Sequence, residues 1–530
     1  MKKALAMLLA ALMLVGASGC NKKPTSGSEN PSSSGSQATT VNQKWYDEDG
    51  NIHVYASSTQ TITSLDWMDC NDGQAFQIIY FMTHTPLIGS DHEGHYGSEY
   101  GVGAAESYEF TEDGKEWTFY IRKGMTFNNG EVCDANDVVA TLQRCLDYKG
   151  QKSNLGGVWP YLEKVEKVDD YTVKAYFSDT YATPLKNFAQ MFILSDTDYA
   201  ELGEDYFYQG HLFGTGPWQY EDYMDGQFIT LSRRDDYWGE CSSNVDKFTL
   251  YFITEENAVV NGLTSGTLDF VPRLSMDLMS LVEADPDLHQ DSGNTYWSYA
   301  LIGLQCGEHS AFHDPNLRKA FAYCIDRQTI ADTIMGGGVA LQAWLPEGTL
   351  GSDSSLKPIY DVELAKDYVA KSDYDGREIV LFANSPVTNS ENIATAICDY
   401  ARVVGINMKV QVTEQAYTTE VRKTGEYDAY LVTNSSTGDE GPYTITRLQD
   451  PGANHNFRNA RLDELMPILD KTVDPAERDV IMKEMNKIIY DNCVLVSLFT
   501  MDYHYVARNG LEGFRIVPSG YCYTSDIHVS

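Results

Sequence analysis

The amino-acid sequence predicts an α/β protein of two or more domains. Its 530 residues exceed what one hydrophobic core normally supports. Between residues 245 and 270, and again between 394 and 432, segments that alternate like strands are interspersed with segments of helical periodicity. The order of strand, helix and strand predicts parallel strand pairs. A content of 42% hydrophobic residues allows large buried cores.

The overall charge limits the partners of the protein. The chain has 76 acidic and 39 basic residues, which give a formal net charge of −37. Nucleic acid, a polyanion, would be repelled by such a surface and is not an expected partner. The charge indicates a soluble, self-repelling surface, and selection for cationic ligands is the alternative.

The first 20 residues have the pattern of an export signal. Lys2 and Lys3 precede an apolar run at 4–15 that is too short for a stable membrane span. Small residues at 16–19 lead to Cys20, an order similar to a bacterial lipobox. We predict lipidation of Cys20, which would hold the exported protein at the outer face of the cytoplasmic membrane, or in the periplasm if the cell has an outer membrane. Ordinary signal-peptidase cleavage with release of the protein is the alternative.

Residues 21–50 are expected to form a flexible tether. Up to residue 40 the segment consists largely of Ser, Gly, Asn and Pro, a composition that cannot form a core. A tether directly after Cys20 supports the prediction of a membrane anchor.

The first folded region is expected to span residues 51–291. It opens with a strand at 52–55 and a helix at 74–81. Two pairs of strands and a helix capped by aspartate follow, and we interpret residues 86–203 as a small inserted α+β unit.

A β-hairpin is predicted after the sequence GTGP at 214–217. Two glycines and a proline require a tight turn there. Residues 218–223 then alternate as a strand, and 228–231 return as a second strand after an Asp-Gly turn. This pattern indicates a hairpin with an aromatic face, but it does not indicate a catalytic or binding function.

The second region is expected to span residues 292–498. An apolar run at 296–304 carries the chain into it, and residues 314–335 have the pattern of one capped helix ended by three glycines. The strand at 494–499 is expected to begin the return, so that 499–530 completes the first region.

The sequence lacks the motifs of common catalytic and metal sites. It contains no G-x-S-x-G, H-E-x-x-H, phosphate-binding loop or strand-linked G-x-G-x-x-G. The histidines of DHEGH at 91–95 stand three apart in a glycine-containing segment, which favours a polar loop over a metal site. We expect no enzyme, cofactor or metal, with a secreted hydrolase as the remote alternative.

The ten cysteines are interpreted as mostly free thiols. None forms C-x-x-C or has zinc-ligand spacing with histidine. Apart from Cys20, nine remain scattered among apolar neighbours, a pattern typical of buried thiols. One or two disulfides stay open for an exported protein.

Four collinear segments resemble motifs of one protein family. They are similar to extracellular solute-binding family 5: WTFYIRKGMTFNNG at 117–130, DANDVV at 134–139, GTGPW to YWG at 214–239 and DPNLRKAFAYCIDR at 314–327. The resemblance implies a two-lobe periplasmic-binding-protein-like fold of the class II type. The first lobe would comprise 51–291 with 499–530, and the second lobe 292–498.

The same resemblance implies that the protein is the substrate-binding component of an ABC importer. Such a protein closes around a small solute between its lobes and hands it to the transmembrane permease subunits. Peptides are the expected solute, with oligosaccharides or metal chelates as alternatives. We expect the protein to act as a monomer.

A loop for the peptide amino group follows from the resemblance. The sequence TGDEGP at 437–442 is similar to the TGDNGDP loop in which dipeptide-type binders hold the ligand α-amino group with an acidic residue. The implied anchor is Asp439, with Tyr443, Asn434 and Ser435 as further ligand contacts. The alternative is that Asp439 only caps a surface turn.

Aromatic residues complete the candidate site. Asp66 and Trp67 fall where the family's first strand-to-helix loop borders the cleft. Trp67, Trp159, Trp297 and Trp344 would suit peptide side chains or sugar faces. For each of these tryptophans, packing in the ordinary core is the alternative.

Overall fold

The computed structural model describes most of the chain after residue 44, and all described residues belong to one compact unit, Trp45–Ser530. The predicted export signal, Cys20 and most of the tether lie outside the described residues. The described residues are 45–59, 62, 64–68, 73–91, 95–147, 159, 161–181, 184–207, 213–292, 298–341, 343–384, 387, 389–435, 455–472, 474–501, 504–516 and 522–530.

Strands and helices alternate along this part of the chain. The strands are β1 His53–Ser58, β2 Ala105–Phe110, β3 Glu116–Ile121, β4 Leu162–Asp169, β5 Thr172–Phe177, β6 Trp218–Met224, β7 Phe228–Arg233, β8 Lys247–Phe252, β9 Phe270–Leu274, β10 Leu288–Ser292, β11 Ser298–Leu304, β12 Ile379–Asn384, β13 Met408–Thr413, β14 Ala429–Ser435, β15 Leu495–Thr500, β16 His504–Arg508, β17 Leu511–Glu512, β18 Arg515–Ile516, β19 Cys522–Tyr523 and β20 His528–Val529. The α-helices are α1 Gly73–Thr83, α2 Ala135–Asp147, α3 Pro184–Phe188, α4 Asp196–Leu202, α5 Glu256–Ser265, α6 Met276–Val282, α7 Pro315–Cys324, α8 Arg327–Ile330, α9 Val362–Lys371, α10 Ser390–Val403, α11 Gln415–Thr424, α12 Ala460–Leu469 and α13 Pro475–Asn492. Short 3-10 turns cover Gly203–Phe207 and Ala311–His313, and a π turn covers Ala331–Met335.

The first sheet has seven strands in the order β10-β16-β9-β1-β8-β7-β6. β1 is central and runs parallel to both β8 and β9, whereas β7 and β16 are antiparallel to their neighbours. Val54 and Ala56 on β1 and Phe248 and Leu250 on β8 are completely buried. Because side chains alternate between the two faces of a strand, this burial fixes the register of the central pair.

The predicted hairpin is confirmed, because β6 and β7 pair as antiparallel neighbours. The turn before them packs backbone against backbone on the end of α1. A Cβ atom on Gly214 would lie 1.9 Å from the Thr83 carbonyl oxygen, and one on Gly216 would lie 2.5 Å from that of Met82. Only glycine fits at these two positions.

A buried arginine holds the turn in place. Nη1 of Arg234 donates to the carbonyl oxygens of Gly216 at 3.3 Å and Thr126 at 3.2 Å, and Nη2 donates to that of Phe127 at 3.1 Å. The guanidinium group therefore ties the GTGP turn to the segment after β3. The arginine that follows β7 is thus a structural element of the motif.

A four-stranded antiparallel sheet, in the order β2-β3-β5-β4, lies between α1 and the hairpin in sequence. Helix α2 packs against β4 and β5. The Asp137 carboxylate accepts hydrogen bonds from the backbone N–H groups of Asp134 at 2.7 Å and Asp196 at 2.9 Å. It thereby joins the start of α2 to the start of α4. We call this unit and the seven-stranded sheet together the first lobe.

The second lobe is built on a five-stranded sheet in the order β13-β12-β14-β11-β15. β12 is parallel to β13 and β14, whereas β11 is antiparallel to β14 and β15. All seven residues of β11 are buried, because the two faces of the strand pack into different hydrophobic clusters. Ala300 and Ile302 face one cluster, and Tyr299 and Leu301 face the other.

One expected helix is interrupted. Residues 314–335 form α7, a break, α8 and a π turn instead of a single helix. Ile325 is extended, with φ −92° and ψ 116°, and the Asp326 side chain accepts a hydrogen bond from the Thr329 N–H as an N-cap. A residue with N-cap propensity inside a helical pattern can start a new helix, and that signal was missed. Gly336, at φ 75°, ends the segment as predicted.

The strand expected to begin the return to the first lobe lies in the second. β15 pairs with β11 in the five-stranded sheet, so Phe499 and Thr500 belong to that sheet. The chain re-enters the seven-stranded sheet with β16, which inserts between β9 and β10. The prediction of a first-sheet strand beginning at 494 was wrong because strand partners are set by nonlocal contacts.

Candidate functional site

Two chain crossings join the seven-stranded sheet to the five-stranded sheet. The first runs from Ser292 to Ser298 and the second from Thr500 to His504. The backbone N–H of Met501 donates to the Ser298 carbonyl at 2.7 Å, so the second-lobe ends of the two crossings lie side by side. Four residue steps span at most about 14 Å, so Thr500 and His504 lie close together.

Strand pairing shows which edges the crossings connect. His504 is opposite Leu274, the last residue of β9, so this crossing meets the carboxyl edge of the parallel strands of the first sheet. Ser298 is opposite Ser435, the last residue of β14, and thus lies at the carboxyl edge of the parallel strands of the second sheet. The two carboxyl edges are therefore adjacent at the crossings.

Ligands of α/β proteins bind outside the carboxyl ends of parallel strands. In the second lobe, polar residues end these strands: Asn384 on β12, Thr413 on β13 and Thr500 on β15. Asn434 lies one residue before the end of β14. This edge supplies neutral amide and hydroxyl groups, which suit a solute with both donors and acceptors.

Two separately predicted residues meet at Tyr299. Nδ2 of Asn434 donates to the Tyr299 hydroxyl at 2.8 Å. The Trp344 side chain lies beside the same hydroxyl and in the same buried cluster. Burial raises the pKa of Tyr299 above its ordinary value, so the phenol stays neutral. Tyr299 itself was not predicted, because it falls inside an apolar run without a polar pattern.

The segment that follows β14 contains the predicted amine anchor. Asp439 and Tyr443 lie outside the described residues, so their roles remain predictions. Ser435 is described only through its backbone, which pairs with Ser298. Asn434 is therefore the one described side chain among these four candidates.

A buried histidine, His455, holds the chain where the described structure resumes after the segment that contains Asp439. Nδ1 of His455 lies 3.0 Å from the Leu304 carbonyl and Nε2 lies 3.0 Å from the Tyr430 hydroxyl. A carbonyl only accepts, so Nδ1 carries the proton and Nε2 accepts from the tyrosine. Burial lowers the pKa of His455 to about 4, which keeps the ring neutral. A Cβ on Gly303 would lie 2.6 Å from His455 Cε1, so glycine is required beside it.

Asp66 and Trp67 lie in the first lobe, and both are buried. The Asp66 carboxylate pairs with Arg144 through two hydrogen bonds, of 2.5 and 3.1 Å. It also accepts from the Met68 N–H at 2.9 Å. These contacts favour a structural role for Asp66, and ligand contacts of either residue remain predictions. Arg144 was missed, although a charged residue on the buried stripe of α2 is a detectable signal.

Trp159 belongs to the first-lobe core and not to the cluster around Tyr299. Trp159 is buried, and its ring centroid lies 4.9 Å from that of Phe188. This packing favours a core role. Trp297 lies outside the described residues.

An exposed ion pair connects the lobes. Nζ of Lys471, just after α12, lies 2.8 Å from Oδ2 of Asp179, just after β5. Asp179 also lies 3.5 Å from Nζ of Lys115. The lobes are therefore in contact at a point remote in sequence from the two crossings.

The part of the chain that the structure describes contains neither a metal-binding cluster nor a membrane-spanning helix. Among its residues, no three His, Cys, Asp or Glu side chains are placed to hold a metal ion. Asp91 and His95 of the DHEGH segment contact each other at 2.7 Å. The eight cysteines at 133, 145, 241, 306, 324, 398, 493 and 522 are free thiols. Over the described range, no helix has the length and apolar character needed to span a bilayer.

The chain belongs to the bacterial extracellular solute-binding proteins, family 5. The model of the middle region of that family matches residues 99–456, more than half of the sequence. This match includes most of the inserted unit, the hairpin and most of the second lobe.

Two curated relatives carry peptide names. The oligopeptide-binding protein AppA of Bacillus subtilis is 26% identical over 445 residues, covering 78% of this chain and 80% of the relative. Di/tripeptide-binding protein 1 of Pseudomonas aeruginosa is 24% identical over 461 residues, covering 80% and 85%.

A solved structure supports the architecture. NikA from Brucella suis, in complex with Fe(III)-EDTA, superposes with a TM-score of 0.79 at 18% identity, covering 90% of this chain and all of that one. Together with the two sheets and their helices, this likeness confirms the predicted two-lobe α/β binding-protein fold.

Proposed function

We propose that this protein is the lipid-anchored substrate-binding component of an ABC importer that captures a peptide between its lobes and delivers it to the membrane permease. The observation that carries the proposal is the adjacency of two carboxyl edges, with polar groups ending the strands of the second lobe. The peptide names of the two relatives support peptide as the solute.

Lobe closure is the proposed response to ligand. A solute that touches both edges favours the closed arrangement by its greater affinity for that arrangement. The crossings are two short segments, so they suit a hinge that absorbs the change in backbone angles. Small-angle scattering should give a smaller radius of gyration at saturating ligand, and an unchanged radius with a proven tight binder would contradict closure.

Asp439 is the proposed partner of the peptide α-amino group. The segment that carries it starts beside the Asn434–Tyr299 hydrogen bond and ends at the buried His455. Both ends are therefore attached to the second sheet. A carboxylate held near the cleft would select a free ammonium group over an acylated one.

Calorimetry on the full chain tests this role. The ligand would first be identified by mass spectrometry of material that co-purifies with the native protein, which also decides between a peptide, an oligosaccharide and a metal chelate. For a peptide, Asp439→Asn should weaken binding by about 2–5 kcal/mol, at least about thirtyfold in Kd. The exposed Asp463→Asn on α12 is the matched control and should bind like wild type. Equal affinity of wild type for the N-acetylated peptide would reject the amine anchor.

Membrane attachment is tested separately. Cys20→Ser should leave the fold intact and release the protein from membranes, since the variant lacks the thiol that would be lipidated. Equal retention of variant and wild type in detergent-free fractionation would overturn the proposed anchor.

A further inference from the structure

The π turn Ala331–Met335 of the second lobe touches the first lobe. Helix α6 of the first lobe packs against this turn. α6 begins two positions after Leu274, the residue opposite His504 at the first-lobe end of the second crossing. The contact therefore lies beside the second crossing, whereas the exposed ion pair between the lobes is remote from it in sequence.

The residues after the π turn attach it to the second-lobe end of the same crossing. The Thr500 N–H donates to the Val339 carbonyl at 2.9 Å, and the Val339 N–H donates to Thr500 Oγ1 at 2.9 Å. Ala340 forms an antiparallel bridge with Phe499. This segment therefore runs along the outer edge of β15 and reaches the residue at which the crossing begins.

One side chain joins the π turn to that segment. Nε2 of Gln328, on α8, donates to the Gly338 carbonyl at 3.1 Å and to Oδ1 of Asp332 in the π turn at 2.8 Å. Its Oε1 accepts from the Ala340 N–H at 3.1 Å. Because these bonds connect the π turn with the segment on β15, residues 331–340 form one unit, which we call the hinge brace.

The hinge brace lies against the crossing without an intervening side chain. Gly338 has a φ of 111°, a conformation that favours glycine. A Cβ atom at this position would lie 2.7 Å from the Thr500 carbonyl oxygen. Backbone therefore packs on backbone at the first residue of the crossing, and an added methyl group would push the hinge brace away from Thr500.

The hinge brace thus touches both sides of the proposed hinge. Lobe rotation must be absorbed by backbone angles in the two short crossings. A packed interface has a few discrete arrangements rather than a continuous range, so the contact between the hinge brace and α6 is either kept or lost as the lobes rotate. Turns of the π type are rare, and they occur frequently at functional sites.

Two contacts between the lobes occur in one and the same arrangement. The hinge brace meets α6 near the crossings, and Lys471 Nζ lies 2.8 Å from Asp179 Oδ2 at a different point of the interface. Loss of either contact therefore favours separation of the lobes.

We propose that the hinge brace holds α6 and thereby stabilises the closed arrangement of the lobes in the ligand-free protein. The proposal rests on the lobe closure proposed above, and it names the segment that sets the balance between the open and closed forms. A shift of this balance towards the open form lowers the apparent affinity for the solute, even though no group that contacts the solute has changed.

Small-angle scattering on the full chain, freed of co-purified solute, tests the hinge brace. Gly338→Ala should have a larger radius of gyration than wild type, because the methyl group displaces the hinge brace and weakens its contact with α6. Gly405→Ala is the matched control, since Gly405 also has a positive φ, at 90°, but a Cβ atom there would meet nothing within 4 Å. The control introduces the same kind of backbone strain and should scatter like wild type.

Gln328→Ala provides a second variant that should fold normally, because it truncates an exposed side chain. It should expand the ligand-free protein in the same direction as Gly338→Ala. Both variants should also raise the apparent Kd for the co-purified solute when it is added back, by about fivefold for Gly338→Ala.

The outcomes separate the hinge brace from closure itself. Unchanged scattering and affinity in Gly338→Ala and Gln328→Ala, while wild type still becomes more compact with solute, would overturn the hinge brace alone. A wild-type protein that does not become more compact would reject closure and the hinge brace together. Expansion of Gly405→Ala to the same extent as Gly338→Ala would assign the effect to backbone strain and would also overturn the proposal.

Discussion

Two buried arginines of the first lobe pair with buried carboxylates, whereas two in the second lobe face only backbone carbonyls. Arg144 pairs with Asp66 at 2.5 Å, and Arg508 pairs with Asp269 at 3.1 Å. Both partners of each pair are buried. Each arginine in these pairs therefore depends on one specific acidic residue.

The second lobe neutralises the same side chain differently. Arg318 donates to the carbonyls of Asn492 at 2.9 Å, Phe312 at 2.7 Å and His313 at 3.0 Å. Arg327 donates through Nε to the Ser497 carbonyl at 2.7 Å. Among the described residues, neither arginine has a carboxylate within ion-pair distance. A buried arginine can therefore be stabilised either by one carboxylate or by several backbone carbonyl dipoles, and the two arrangements should respond differently to mutation.

The largest effect is expected from breaking a charge pair. Asp66→Ala leaves Arg144 buried without its counter-charge, which should lower the free energy of unfolding by about 3–5 kcal/mol. Urea denaturation measures the change. The double variant Asp66→Leu/Arg144→Met should recover most of the stability, because it removes both charges. A loss below about 1 kcal/mol in the single variant would contradict the comparison.

Asp137 extends the comparison to a first-lobe carboxylate with no basic partner among the described residues. Burial raises its pKa to about 7 from 3.8, although two backbone N–H groups oppose the shift. Its stabilising contribution is therefore fully present below about pH 4 and is lost as the pH rises through about 7. The effect should be smaller than that of Asp66→Ala, because Asp137 keeps both backbone donors.

Urea midpoints at pH 4, 5.5 and 7 test this expectation. Asp137→Asn should remove this component of the pH dependence, whereas the exposed Asp463→Asn should leave it unchanged. Parallel pH profiles for wild type and Asp137→Asn would show that the carboxyl group does not titrate in this range.

A dipole-bound arginine should tolerate substitution better. Arg318→Met leaves three carbonyl groups without that donor, at an expected cost of about 1–3 kcal/mol in the free energy of unfolding. Replacing any one acidic residue in addition should not restore the stability that Arg318→Met loses. Rescue by such a substitution would mean that Arg318 depends on a charge partner after all.

The smallest effect concerns the ion pair between the lobes. Lys471 and Asp179 are 55% and 36% exposed, and exposed pairs contribute about 0–1 kcal/mol. Lys471→Ala should weaken ligand binding by about twofold at low salt and by less at 1 M salt, where the pair is screened. A difference that persists at 1 M salt would indicate a role beyond electrostatic attraction.

Local signals account for the parts of the fold that the sequence predicted well. The GTGP turn specifies a hairpin because its glycines and proline limit the backbone to a tight turn. Asp474 and Pro475 specify the start of α13, where the Asp474 side chain accepts from the Glu477 N–H at 2.9 Å. Each signal lies within a few residues of the structure that it determines.

Nonlocal features were harder to predict. The sheet to which β15 belongs depends on β11, almost 200 positions earlier, and no pattern in the strand itself specifies that partner. The candidate site was equally hard to predict, because Tyr299 contacts Asn434 and packs in one cluster with Trp344, and both lie in distant segments of the chain. The family motif identified the loop of Asp439, but its contact with a ligand stays a prediction.

The position of β16 has a consequence for how the protein is made. This strand lies between β9 and β10 in the first sheet, yet the whole second lobe is synthesised between β10 and β16. Until residue 508 has emerged, β9 keeps an open edge, β10 has no neighbour and Asp269 lacks its bond from Arg508. The first lobe therefore cannot finish folding before almost the entire chain has been made. For the proposed export this order is an advantage, because an incompletely synthesised chain remains unfolded and can pass through a translocation pore.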